Sequence, residues 1–232
     1  MADRPAALII GANRGIGLGV VKELMGRGWD VIATARRPDA ANELAALARA
    51  KPGQLAIQPL DMADAGSIDA FADRLKGRTL DLALVNAGVA GPAHRSADRV
   101  TPEEIGALMF VNAIAPVRLA RRLIEVLRPG RGVLGFTSSV MGSVALNSGG
   151  HELYRASKAA LNSLTRGLQG EIRGRKVTLL TLHPGWVRTD MGGPGAAVSV
   201  EDSARGLADV MERAAGQGGH RFVDYRGDSI AW

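Results

Sequence analysis

The 232-residue chain contains no cysteine. That absence rules out disulfides, thiolate nucleophiles and cysteine-ligated metal sites. Histidine is scarce as well: His94, His151, His183 and His220 are scattered without the spacing of a ligand set, so no metal is expected. No apolar stretch approaches the ~20 residues that a membrane span needs. The polar opening from Met1 to Pro5 leads into an apolar run too short for a signal peptide. A cytoplasmic protein without a membrane partner is the expectation. Acidic residues are outnumbered, 23 against 29 Lys and Arg, for a formal charge of +6. The arginines are dispersed, with only Arg36-Arg37 and Arg121-Arg122 as doublets. That pattern argues against nucleic acid and suits the attraction of small phosphorylated anions.

What the chain does have is apolar residue, 46% of the total, enough to fill the core of one α/β domain. Short runs rich in aliphatic residues predict seven strands: Ala6 to Ile10, Asp30 to Thr34, Gln54 to Gln58, Leu80 to Val85, Gly132 to Thr137, Lys176 to Leu182 and Arg221 to Asp224. Amphipathic segments predict helices over about Ile16 to Gly28, Ala40 to Ala50, Ser67 to Leu75, Pro102 to Leu127, Glu152 to Arg173 and Val200 to Ala215. A helix in every crossover implies a single-domain Rossmann fold, an α/β architecture with a doubly wound seven-stranded parallel sheet and helices on both faces. A cofactor half would span about residues 1–130 and a catalytic and substrate half about 131–232.

Ligands in such a sheet bind beyond the carboxyl ends of the strands. After the first strand comes Gly11-Ala12-Asn13-Arg14-Gly15-Ile16-Gly17-Leu18-Gly19. A strand, a glycine turn and a helix N-terminus offer backbone N–H groups and the positive end of a dipole to a pyrophosphate. After the second strand stands Ala35-Arg36-Arg37, with no acidic residue to grip a ribose 2′-hydroxyl. Guanidinium groups there suit a 2′-phosphate, with Arg14 a second candidate, so NADP(H) is expected over NAD(H). The later strand ends carry Asp61-Met62, Asn86-Ala87-Gly88, Ser138-Ser139, and Pro184-Gly185-Trp186-Val187-Arg188-Thr189.

Only two tyrosines occur, and Tyr154 has a lysine, Lys158, four positions later, whereas Tyr225 has none. On a helix that spacing places a phenol and an ammonium one turn apart on one face. A cation held beside a phenol favours phenolate and lowers its pKa from about 10.

The order of Gly-x-x-x-Gly-x-Gly, Asp61, Asn86-Ala87-Gly88, Asn112, Ser139, Tyr154-x-x-x-Lys158 and Pro184-Gly185 resembles the short-chain dehydrogenase/reductase family over essentially the whole chain. Asn13 to Gly19, the Met-Gly-Ser after Ser139 and Tyr154 to Asn162 resemble its C-factor-like and sniffer-like carbonyl reductase branch. The resemblance implies Tyr154 as proton donor to a carbonyl oxygen during hydride transfer, or acceptor in reverse. It implies Lys158 lowering the tyrosine pKa and binding the nicotinamide ribose, Ser139 holding the substrate oxygen, and Asn112 completing a water-linked proton path. Ser139 is preferred to Ser138 because of the Val-Met-Gly that follows, and its separation from Tyr154 predicts a small loop insertion. Cofactor contacts are implied for Gly11, Asn13, Arg14, Gly15, Ile16, Gly17, Arg36, Asp61, Met62, Asn86, Ala87, Gly88, Tyr154, Lys158, Pro184, Gly185, Val187 and Thr189.

Ile10 and Val85 replace a threonine and an asparagine common in the family, removing polar side chains that could tie neighbouring loops. Candidates to line the substrate pocket are Val140, Met141, Asn147, His151, Trp186 and Met191, mostly apolar and suited to a small ketone or aldehyde, or its alcohol. The family implies a homodimer or homotetramer paired through the helices of Pro102 to Leu127 and Glu152 to Arg173. The alternatives are an NADP(H)-binding sensing or signalling protein with little turnover and, among enzymes, a pteridine or acyl-thioester keto reductase.

Overall fold

The computed structural model describes residues 4–232, so the first three residues of the polar opening lie outside the described residues. Seven parallel strands form one sheet: β1 (Ala6–Ile10), β2 (Asp30–Ala35), β3 (Leu55–Pro59), β4 (Leu82–Val85), β5 (Val133–Thr137), β6 (Thr178–His183) and β7 (His220–Asp224). Their order is β3-β2-β1-β4-β5-β6-β7. The chain winds outward from β1 to β3, then returns to the other side of β1, so the topological switch falls between β1 and β4.

Burial on both faces explains why the strands read as continuous apolar runs. Ala7 and Ile9 of β1 pack with Leu24, Leu44 and Leu207 from α1 (Gly15–Gly26), α2 (Asn42–Ala50) and α8 (Val200–Arg213). Leu8 and Ile10 pack with Phe71, Leu123 and Leu161 from α3 (Ala65–Arg74), α5 (Ala115–Val126) and α6 (Glu152–Gly167) on the opposite face. Each fully buried Leu or Phe stabilises the fold by about 1.5–3 kcal/mol, so two complete cores hold the sheet between helical layers.

Two expected helices are divided. Pro102 to Leu127 becomes α4 (Pro102–Met109), a π turn at Phe110–Ile114, and α5. Pro116 has no N–H to bond the carbonyl of Asn112 four residues back, and its ring crowds that carbonyl. The wider turn accommodates it, with the Ala115 N–H donating to the Phe110 carbonyl. The second division separates α6 from a short α7 (Gln169–Arg173), with Leu168 between them. Beyond β7 the chain turns back: Ser229 pairs antiparallel with Val223, and the Ile230 N–H donates to the Phe222 carbonyl. Among the described residues no helix is long and apolar enough to cross a membrane.

Candidate active site

The carboxyl ends of β1, β2, β4, β5 and β6 converge on one rim, where most of the expected site residues stand. The turn after β1 begins at Gly11, whose φ of +77° is one that L side chains rarely adopt, and a Cβ there would lie 2.9 Å from the backbone of Ala87. At Gly17 a Cβ would sit 2.2 Å from the Gly11 carbonyl, so the turn closes onto α1 only with glycine. Gly15 instead faces the β6 loop, where an added Cβ would meet the Thr189 methyl at 3.3 Å. Gly19 serves packing: its face is covered by Val200 and Ala204 of α8. No side chain caps α1 and no acid occupies its first turn, which leaves its leading N–H groups for an anion. Asn13 and Arg14 are exposed beside them, and Ile16 is partly buried.

Polar ties replace those that Ile10 and Val85 cannot make. Thr34 Oγ1 accepts the Gly11 N–H at 3.1 Å, and Asn86 Nδ2 donates to the Gly11 carbonyl at 3.1 Å. Asn86 Oδ1 in turn accepts from Thr137 Oγ1 at 3.1 Å, so β2, β1, β4 and β5 are joined at their ends. Arg36 and Arg37 are exposed and form no ion pair among the described residues. A glycine cradle, an open helix N-terminus and unpaired guanidiniums fit a dinucleotide with a 2′-phosphate. Asp61 Oδ1 accepts the Ala63 N–H at 2.9 Å and holds its own loop, while Met62 packs into the core.

On α6 the Lys158 side chain is buried and its Nζ donates to the Thr137 carbonyl at 2.9 Å. The ammonium lies 5.7 Å from the centre of the Tyr154 ring. Burial lowers Lys158 to about 8. Burial also pushes Tyr154 up to about 12, the reverse of the expected lowering. Desolvation of the phenolate outweighs a cation that is itself desolvated and turned toward a carbonyl.

Ser139 opens a tight turn over Val140–Gly142, its Oγ accepting the Met141 N–H at 3.1 Å. Gly142 seats that turn on α6, since a Cβ would lie 2.8 Å from the Lys158 backbone. Ser138 differs: its hydroxyl donates to Asn162 Oδ1 at 2.6 Å in the core, and Asn162 Nδ2 donates to the Gly142 carbonyl at 3.0 Å. Asn112, wholly buried in the π turn, accepts the Val89 N–H at 2.9 Å and donates to the Val89 carbonyl at 2.9 Å and Ser157 Oγ at 3.0 Å. Around Gly88, Asn112 Oδ1 and Lys158 Nζ lie 3.3 and 3.5 Å from where a Cβ would stand. Ser157, Thr137, Thr34 and Asn162 were not foreseen from the sequence. The one available signal was position, a threonine at each of two strand ends and a serine beside Lys158.

Val140 and Met141 are partly buried beside Ser139, whereas the segment that follows is exposed, including Val144 at 73% and Leu146 at 50%. Asn147 Oδ1 spends itself on the Gly149 N–H, and His151 precedes α6 in a left-handed conformation, φ 52°. After β6, Pro184 is fixed by Ser203 Oγ donating to its carbonyl, and Gly185 has φ +86°. Val187 is buried and paired with Val198, while Thr189 Oγ1 accepts the Gly192 N–H at 3.1 Å. Trp186 and Met191 are more than half exposed, and the indole N–H donates to the Gly192 carbonyl. The same loop carries Asp190, whose carboxylate pairs with Arg14 across the rim.

This rim, with its glycine cradle, its Tyr–Lys helix and its serine turn, is the arrangement of a dinucleotide-dependent oxidoreductase. The chain belongs to the short chain dehydrogenase family, whose sequence pattern matches residues 5–197. It is 38% identical over 166 residues to the C-signal protein of Myxococcus xanthus, covering 70% of this chain and 99% of that one. A carbonyl reductase from Pseudomonas aeruginosa PAO1 solved in complex with NADP is 44% identical, with a TM-score of 0.91 over 99% of this chain and 100% of that one. The carbonyl reductase Sniffer of D. melanogaster is 30% identical, with a TM-score of 0.90 over 99% and 100% of the two chains.

Proposed function

We propose that the protein uses NADPH to reduce the carbonyl group of a small, largely apolar ketone or aldehyde to an alcohol. When bound, the dinucleotide supplies the hydride that reaches the carbonyl carbon. The glycine turn and the open end of α1 hold its pyrophosphate, Arg36 holds the 2′-phosphate, and Val187 and Thr189 receive the carboxamide. The Ser139 hydroxyl, which only accepts from the Met141 N–H, keeps its proton for the substrate oxygen. Tyr154 gives that oxygen a proton as charge builds on it.

The observation that carries the reading is the seating of the Ser139 turn directly on the Lys158 turn of α6 through Gly142. That contact supports a shared site for the Ser139 hydroxyl and the Tyr154–Lys158 pair. Burial keeps the Tyr154 phenol protonated at physiological pH, which suits it to give a proton to a carbonyl oxygen that is being reduced. Lys158 at about 8 remains mostly protonated there and opposes the phenolate's desolvation cost as the proton leaves. Asn112 positions Val89 and Ser157, and Pro116 offers its backbone carbonyl no N–H, which supports a water-linked proton path at that carbonyl. Exposed Ile114 and Leu164, on the π turn and α6, support pairing of subunits through those helices.

NADPH oxidation over a panel of aldehydes, ketones and diketones tests the reading. Tyr154→Phe should abolish turnover by at least a hundredfold while NADPH still binds. Equal turnover in the variant would remove Tyr154 as the acid.

A further inference from the structure

We infer that Asp190 is a coenzyme-specificity residue, acting by competing with the 2′-phosphate of NADPH for the guanidinium of Arg14. The inference rests on the reading of the glycine turn as an NADP cradle. Arg14 is the residue that opens α1, and its Nη1 pairs with Asp190 Oδ2 from the loop after β6, 176 positions away in the chain. Both side chains are largely exposed, 71% for Arg14 and 77% for Asp190, so the guanidinium is free to rotate once its partner is displaced. On the other side of the turn, past β2, Arg36 and Arg37 stand without ion pairs. A 2′-phosphate received there carries nearly two negative charges, and Arg14 is the one cation within the glycine turn itself. One guanidinium cannot satisfy both anions on opposite sides of the glycine turn. NADPH therefore draws Arg14 away from Asp190, whereas NADH, with a plain ribose hydroxyl, leaves the pair closed.

Breaking an exposed pair costs little, so the expected effect is modest and selective. Dissociation constants for NADPH and NADH, measured by calorimetry on the full chain, should show Asp190→Asn binding NADPH about two- to fivefold more tightly. NADH binding should stay unchanged. Asp190→Ser should repeat the result, and in an Arg14→Ala background the Asp190 effect should vanish. Equal tightening for both dinucleotides, no change, weaker NADPH binding, or an effect that persists without Arg14 would each overturn the inference. Binding of NADPH by the native protein with no Asp190 effect removes the inference alone. Failure of the native protein to bind either dinucleotide removes the cradle as well.

Discussion

Burial of Lys158 makes the stability of the dinucleotide-free protein depend on pH in a way that one substitution isolates. In the unfolded chain the lysine titrates at its ordinary 10.5, and in the fold at about 8. A base whose folded pKa is depressed favours the fold most when it is neutral in both states. The stability it allows is therefore greatest above about 10.5, falls as pH drops toward 8, and reaches a constant minimum below that. Between pH 7.5 and 9.5 the two pKa values correspond to a gain of about 2 kcal/mol. For a domain of this size that is a rise in Tm of roughly 4 to 8 °C. Tyr154 works in the opposite sense, but its contribution is lost only between about 10 and 12, above this window. Lys158→Met keeps the volume and removes the titration. Melting curves of both proteins without dinucleotide, at pH 7.5, 8.5 and 9.5, should therefore converge or diverge by that amount, with the native protein gaining on the variant as pH rises. Parallel curves across the window would refute the reasoning, because they would mean that the ammonium is solvated in the folded state.

Two other substitutions probe the supports of the site. Asn112→Ala removes three side-chain bonds to Val89 and Ser157. It should cost about 2–4 kcal/mol, read as a lower urea midpoint at unchanged slope, with turnover falling more than NADPH affinity. Gly142→Ala places a methyl 2.8 Å from the Lys158 backbone. It should lower kcat at least tenfold through displacement of the Ser139 turn, and dinucleotide binding measured by fluorescence should change little.

The inner strands were legible because they are buried on both faces, so composition alone marks runs such as Ala6 to Ile10 and Gly132 to Thr137, whereas β3 at the border is only partly buried. Residues at their carboxyl ends could then be placed on one rim by topology. The π turn was less visible. Apolar periodicity continues through Phe110 and Val117, and the cue was Pro116 alone. Ser157, Asn162 and Thr137 were missed because a single buried hydroxyl or amide leaves no periodic trace, and its importance lies in partners far along the chain. The Tyr154 pKa went the other way for a related reason. Spacing on a helix states that a lysine is near, but not that its ammonium is buried and bonded to the Thr137 carbonyl. The Arg14–Asp190 pair, joining residues 176 positions apart, had no local signature at all.

The strand-like return of Ser229 and Ile230 along β7 has a bearing on solubility. An outer strand with free N–H and C=O groups is a template on which another chain can add, the first step toward ordered aggregation. Here the Val223–Ser229 bridge and the Phe222–Ile230 bond occupy part of that template from within the molecule. At the other border, β3 is five residues long and ends in Pro59, which offers no donor. The sheet is thus blunted at both margins, and a foreign strand adding along that part of β7 must first peel away the molecule's own tail.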